Sequence, residues 1–177
     1  MPPVILTVPL LMRATLVAVA VLVPAATASV PPLLKWSGFT QLAGGSLIAA
    51  QPADIAGGTL SGFGTITGSV QNAGTVSPST TGGVLKISGA YQQTKAGVLT
   101  SVITGTSPGT KFGQLSVGGQ ATLAGTLKVN PGNGFNPHGK SFSVLLYHSR
   151  SGKFTTLSGN PAYTVSYGAS AAKVVYP

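Results

Sequence analysis

The chain has 177 residues, with 10 lysines and arginines, one acidic residue (Asp54), two histidines and no cysteine, for a formal net charge of +9. Without cysteine there is no disulfide, thiolate metal site or cysteine nucleophile, and with one side-chain carboxyl no pair of carboxyls can do acid–base work. At 43% hydrophobic residues and 25 glycines the chain is too apolar to be disordered and poor material for a soluble helix bundle, which leaves an all-β fold.

The first thirty residues are apolar and nearly free of glycine. Arg13 gives a short basic region, residues 16–23 an apolar one, and Ala26-Thr27-Ala28 a small-x-small cleavage pattern before Ser29, so residues 1–28 read as an export signal. The proline-interrupted stretch 1–11 fits poorly in front of it, which suggests translation from Met12. Uncleaved, residues 4–30 are long enough to anchor in a membrane if Arg13 is tolerated. Cleavage leaves one domain with no stable span. Residues 29–56 read as a linker and N-terminal cap, proline-rich at Pro31-Pro32, with Trp36 and Phe39 over the first repeat. Trp36 is either a cap aromatic or an exposed stacking residue for a sugar.

Residues 57–130 restate one phrase of glycine, a small residue and an aliphatic: Gly58-Thr59-Leu60, Gly64-Thr65-Ile66, Gly74-Thr75-Val76, Gly83-Val84-Leu85, Gly97-Val98-Leu99, Gly125-Thr126-Leu127. Glycine suits a corner because it tolerates positive φ, and threonine with an aliphatic suits a pleated, half-buried surface. One such unit buries too little apolar area to fold, so the units must stack. Strands are expected at 65–70, 74–77, 84–93, 98–103, 114–117, 121–123 and 126–129, with 71–73 separating the first from the second and 78–83 a loop. Leu85, Ile87, Leu99, Leu115, Leu123 and Leu127 should point into one core. After the turns at 131–134 and 136–139, longer strands with aromatics at 141–147, 152–157, 163–167 and 172–176 suit a sheet over 131–177 that caps the open end.

The order of phrases carries a resemblance. Residues 58–70 (GTLSGFGTITGSV), 72–78 (NAGTVSP), 87–94 with 97–99, and 112–127 (FGQLSVGGQATLAGTL) are similar to the C-terminal part of the β-helical passenger regions of bacterial autotransporter-type surface proteins and related secreted β-strand-repeat proteins. The match covers about residues 57–165. It implies a right-handed parallel β-helix with a C-terminal capping sheet, a scaffold role, no catalytic residues and a secreted or cell-surface location in bacteria. The family often has an acidic residue where Gly113 stands. No run of amphipathic ten-residue strands follows the module, so the likeness excludes the outer-membrane barrel.

β-Helices also host enzymes acting on polysaccharides, yet Asp54 has no second carboxyl to pair with, and a calcium site would need several. Asp54 after Pro52 reads as a turn residue. Gly105-Thr106-Ser107-Pro108-Gly109 has the outline of a nucleophile elbow, but Pro108 lacks the backbone N–H that the oxyanion hole requires. His138 and His148 are too few to hold zinc, so no metal or cofactor is expected. Lys86, Lys95, Lys111, Lys128, Lys140, Lys153 and Lys173 stand singly, and Arg150 is the only arginine after the signal, a pattern unlike nucleic-acid recognition. At about one lysine per repeat they either guard strand edges or form a stripe for anionic cell-envelope polymers or acidic glycans, with Lys86, Lys95, Lys111, Lys128, Lys140 and Lys153 as the contacts. The resulting expectation is a non-catalytic stalk, cap or adhesive surface. The alternatives are a polyanion-binding module and a fragment of a carbohydrate-active enzyme.

Overall fold

In a computed structural model that describes residues 37–49 and 51–177 with their side chains, those residues form fourteen strands and no helix. The expected signal peptide, the Met12 start and Trp36 lie outside them. The strands make a parallel β-solenoid whose successive turns build three stacks around one core. The first stack contains β1 (Phe39–Ala49), β3 (Thr59–Thr67), β5 (Thr75–Pro78), β8 (Val98–Ile103), β10 (Thr126–Pro131) and β12 (Thr156–Ser158). The second takes the later halves of β1 and β3, then β6 (Leu85–Ile87), the start of β9 (Leu115–Leu123) and the start of β11 (Ser141–Gly152). The third takes β2 (Ala53–Ile55), β4 (Val70–Asn72), β7 (Tyr91–Gln93) and the ends of β9 and β11.

Parallel in-register pairing makes each side chain stack on its counterpart one turn away. Leu60, Val76, Leu99 and Leu127 share one buried inward position of the first stack, with half-buried Thr40 and exposed Leu157 in the same register at its two ends. Leu47, Ile66, Ile87, Val117 and Tyr147 share one in the second. Because side chains alternate along a strand, the residues between them face out: Ser61, Ser77, Thr100 and Lys128 follow one another beside the leucine ladder. The six aliphatics expected in the core are all buried. Each contributes about 1.5–3 kcal/mol by leaving water.

The solenoid is longer than the repeats alone indicate. Phe39–Ala49 and Ala53–Ile55 pair with the next turn in the same register, so these two strands belong to the ladder, not to a linker. At the other end β11 and β12 still pair in parallel with β9 and β10. Only β13 (Thr164–Tyr167) and β14 (Ala171–Val175) are antiparallel, β14 against β11 and β13 against β14, and this hairpin is the cap. The long strand expected at 84–93 is two, because 88–90 turn a corner: Gly68 N–H donates to Ser88 Oγ and Ala90 N–H to Ser69 Oγ, so serines of adjacent turns hold the bend. Residues 71–72 are not a break between strands, since Val70–Asn72 is itself a strand of the third stack.

Length variation collects at the corner between the first and second stacks. There the loops 79–84, 104–114 and 132–140 sit on successive turns, while in β3 the chain passes directly through Gly62 and Gly64. Gly62 has φ of 102°, and a methyl group on it would collide with the Leu42 carbonyl of the preceding turn. Close backbone approach is thus a requirement of the stack. At the C-terminal end Phe142 packs edge-on against Phe112 (5.5 Å between ring centroids), Phe135 (6.1 Å) and Tyr176 (6.1 Å), and this cluster seals the core beneath the hairpin.

Substitution in the ladder should be costly. Leu127→Ala is expected to lower unfolding free energy by about 2–5 kcal/mol, and Leu115→Asp or Leu127→Asp by more than about 4 kcal/mol because an unpaired charge is buried. Urea denaturation followed by circular dichroism measures both. A loss below about 1 kcal/mol for Leu127→Asp would contradict the inward ladder.

Candidate interaction surface

The structure places each polar residue singled out in the sequence after residue 50, and it does not gather them into a catalytic constellation. Asp54 lies in the middle of β2, half-buried and facing outward between buried Ala53 and Ile55, so it is a strand residue and not a turn residue. Its neighbour on the next turn is Gln71. Ser107 is exposed in the 104–114 loop, where its carbonyl accepts hydrogen bonds from the N–H groups of Lys111 (2.8 Å) and Phe112 (3.2 Å), which makes a tight turn. His138 is exposed in the 132–140 loop, with its N–H on Asn136 Oδ1, and His148 is exposed on β11. Among the described residues no three His, Asp or Glu side chains come together as a metal site would require.

The lysines from Lys86 onward are all exposed, and they divide by position. Lys86 faces out on the second stack, in register with Thr65 and Ser116. Lys128 faces out on the first stack, in register with Thr100. Lys95 and Lys153 occupy the corner between the third and first stacks, two turns apart, with Gly125 between them. Lys111 and Lys140 lie in the loops between the first and second stacks, and Lys173 is on β14 opposite Ser143. There is accordingly no single lysine stripe through all the turns.

What composition does hint at, and the ladder makes plain, is an axial imbalance of charge. Among residues 37–49 and 51–177 every positive side chain lies at or after Lys86, in the later turns, while Asp54, the one acidic residue, lies in an early turn, its backbone in register with Lys35 of the strand before it. Arg150 differs from the lysines. It stacks over Tyr167, 4.6 Å from the ring centroid, and donates to the Gly152 carbonyl, so it serves the cap.

Comparison with known protein families, with curated proteins and with solved structures finds no match to this chain. The surface must therefore be read from its own chemistry.

One polar feature escaped the sequence reading. Asn72 and Gln93 end successive strands of the third stack at the same inward position, which Ile55 fills one turn earlier. Asn72 Nδ2 donates to the Tyr91 hydroxyl (3.0 Å) and the Val98 carbonyl (3.1 Å), and its Oδ1 accepts from Gly74 N–H (3.1 Å). Tyr91 donates to Gln93 Oε1 (2.8 Å), and Gln93 Nε2 reaches the carbonyls of Gly97, Ala124 and Thr126 at 2.9–3.1 Å. Each side chain satisfies backbone groups of the corner that follows it, although the Thr94 hydroxyl in the second of these corners is buried without a partner. The arrangement braces the fold and leaves no polar atom aimed at a ligand.

Burial gives this interior a pH signature. Desolvation raises the Tyr91 hydroxyl well above its ordinary value, opposed in part by the Asn72 hydrogen bond. Desolvation also pushes Tyr163 up to about 12, opposed in part by the Ser158 carbonyl. An unfolded tyrosine ionises near 10, so the folded state keeps protons that the unfolded state has lost. Stability from these groups is complete below about pH 10 and declines as pH rises toward the folded values. The urea midpoint should be level with respect to tyrosine ionisation from pH 8 to 9 and fall above 10. Tyr91→Phe should start about 1–2 kcal/mol lower, because Gln93 Oε1 loses its donor, and fall less steeply. An equally steep fall in Tyr91→Phe would exclude Tyr91 as a contributor.

Proposed function

We propose that this protein is a non-catalytic secreted or cell-surface β-solenoid that acts as a stalk, cap or adhesive surface. The observation that carries this reading is the state of its polar groups. The inward ones, Asn72, Gln93, Ser101 and Gln114, are bonded to backbone or to Tyr91. The outward ones offer lysines and hydroxyls but a single side-chain carboxyl, half of the pair that glycoside hydrolysis ordinarily uses. The resemblance of residues 57–165 to passenger regions of autotransporter-type surface proteins supports the location. The closed C-terminal hairpin supports a role as the end of a rod, since it covers the second stack where a free edge would otherwise pair with another molecule.

Two measurements test the proposal. Purified protein incubated with acidic and neutral polysaccharides should release no reducing ends beyond those released by an Asp54→Asn variant; turnover that this variant abolishes would establish the rival reading, a carbohydrate-active enzyme fragment. Protease added to intact producing cells should remove the cell-associated protein, and full protection without cell lysis would exclude surface exposure.

A further inference from the structure

We propose that Lys95, Lys128 and Lys153 form a binding track for a linear acidic polysaccharide along the corner where the third stack passes into the first. This rests on the adhesive reading above and names its partner. Lys95 lies in the corner that leads into β8, Lys153 in the equivalent corner leading into β12, and Lys128 on β10, the strand between them. The stacking of the corners is direct: Gly125 packs against the carbonyls of Gly97, Thr94 and Lys95, and its own carbonyl accepts from Thr155 N–H (2.8 Å). At 4.7–4.9 Å per turn, the backbones at Lys95 and Lys153 are about 9–10 Å apart, with Gly125 packed between them and adding no side chain. Three exposed cations therefore fall on three consecutive turns, Lys95 and Lys153 at the corner and Lys128 on the adjoining face, three residues beyond Gly125.

The ligand class follows from the surroundings. The only acidic side chain among the described residues lies in the first described turn, so the field over this corner is uniformly positive. A flat anionic bilayer meeting the capped end of the rod would reach Lys153 but leave Lys95 about two turns further back, beyond the ~8 Å over which exposed charges act at physiological salt. A chain running along the corner meets all three. Single-stranded nucleic acid would call for exposed aromatics to stack bases, and the one aromatic among the large exposed hydrophobic residues is Phe39, far from these lysines in the chain. Duplex DNA is bound through its phosphates and competes on charge alone, which makes it a comparison ligand. Neighbouring Thr100, Thr126, Thr156 and Ser158 supply hydroxyls along the same face, which suit a sugar polymer.

Two triple variants of equal charge change decide the matter: Lys95→Glu/Lys128→Glu/Lys153→Glu on the track, and Lys111→Glu/Lys140→Glu/Lys173→Glu away from it. All six residues are exposed, and thermal melts establish that both variants fold. Binding to polygalacturonate is measured by calorimetry at 20 and 300 mM salt, with duplex DNA and anionic phosphatidylglycerol vesicles as comparison ligands. The expected result is binding by the unaltered protein at low salt, lost at high salt. The track variant should bind at least about tenfold more weakly, and the other triple should be affected much less. Equal loss in both variants would show that only net charge matters and would overturn the track. Absence of binding at low salt, or tighter binding to DNA or vesicles than to polygalacturonate, would overturn the polysaccharide assignment. Cleavage of the polymer would instead refute the non-catalytic reading while leaving the lysine contacts to be judged by the variants.

Discussion

Register is the constraint on which the rest of this structure depends. In a parallel stack each backbone hydrogen bond joins a residue to its counterpart one turn away, so inward positions must stay inward through every turn. A slip of one residue would turn the Leu60, Val76, Leu99, Leu127 ladder to water and bring Ser61, Ser77, Thr100 and Lys128 into the core. The chain tolerates large loops, but only where they leave the register intact, at the corner between the first and second stacks.

The corners carry the second half of that constraint, because backbone that turns inside a stack of strands loses its partners. Serine side chains bridge successive turns between the second and third stacks, and Asn72 and Gln93 do so from inside the core between the third and first. Ser101 Oγ on the Gly113 carbonyl (2.7 Å) and Gln114 Nε2 on the Ser143 carbonyl (2.6 Å) tie down the remaining corner. The buried polar side chains thus belong to the scaffold, and function is left to the exterior.

The periodic region of the fold was legible in the sequence because glycine, threonine and an aliphatic at each turn state both the corner and the inward residue. The first described turn was not. Its strand Phe39–Ala49 carries the phrase once, at Gly45-Ser46-Leu47 in register with Thr65 and Ile66, but puts Thr40 where later turns have leucine or valine and follows a proline-rich stretch, so it reads as a linker. Strands β11 and β12 were legible as strands but not as parallel ones, since alternation reports which face a residue takes and says nothing of its neighbour's direction. Asn72 and Gln93 were hidden because a polar residue at the end of a short strand reads as a break. Their placement shortly before a glycine, Asn72 to Gly74 and Gln93 to Gly97, was the available signal.

The exterior obeys a rule that the interior does not. Inside, like stacks on like, leucine over leucine; outside, the same stacking would set one ammonium group beside another on adjacent turns, which is unfavourable. Lys86 accordingly lies in register with Thr65 and Ser116, and Lys128 with Thr100 and Ser158. Lys95 and Lys153 share a corner only with a glycine between them. A chain with almost no acidic residues has few other means of limiting this repulsion, so its cations are dispersed among stacks and corners. Dispersal within the later turns leaves them a positive surface that is strong in sum and nowhere crowded.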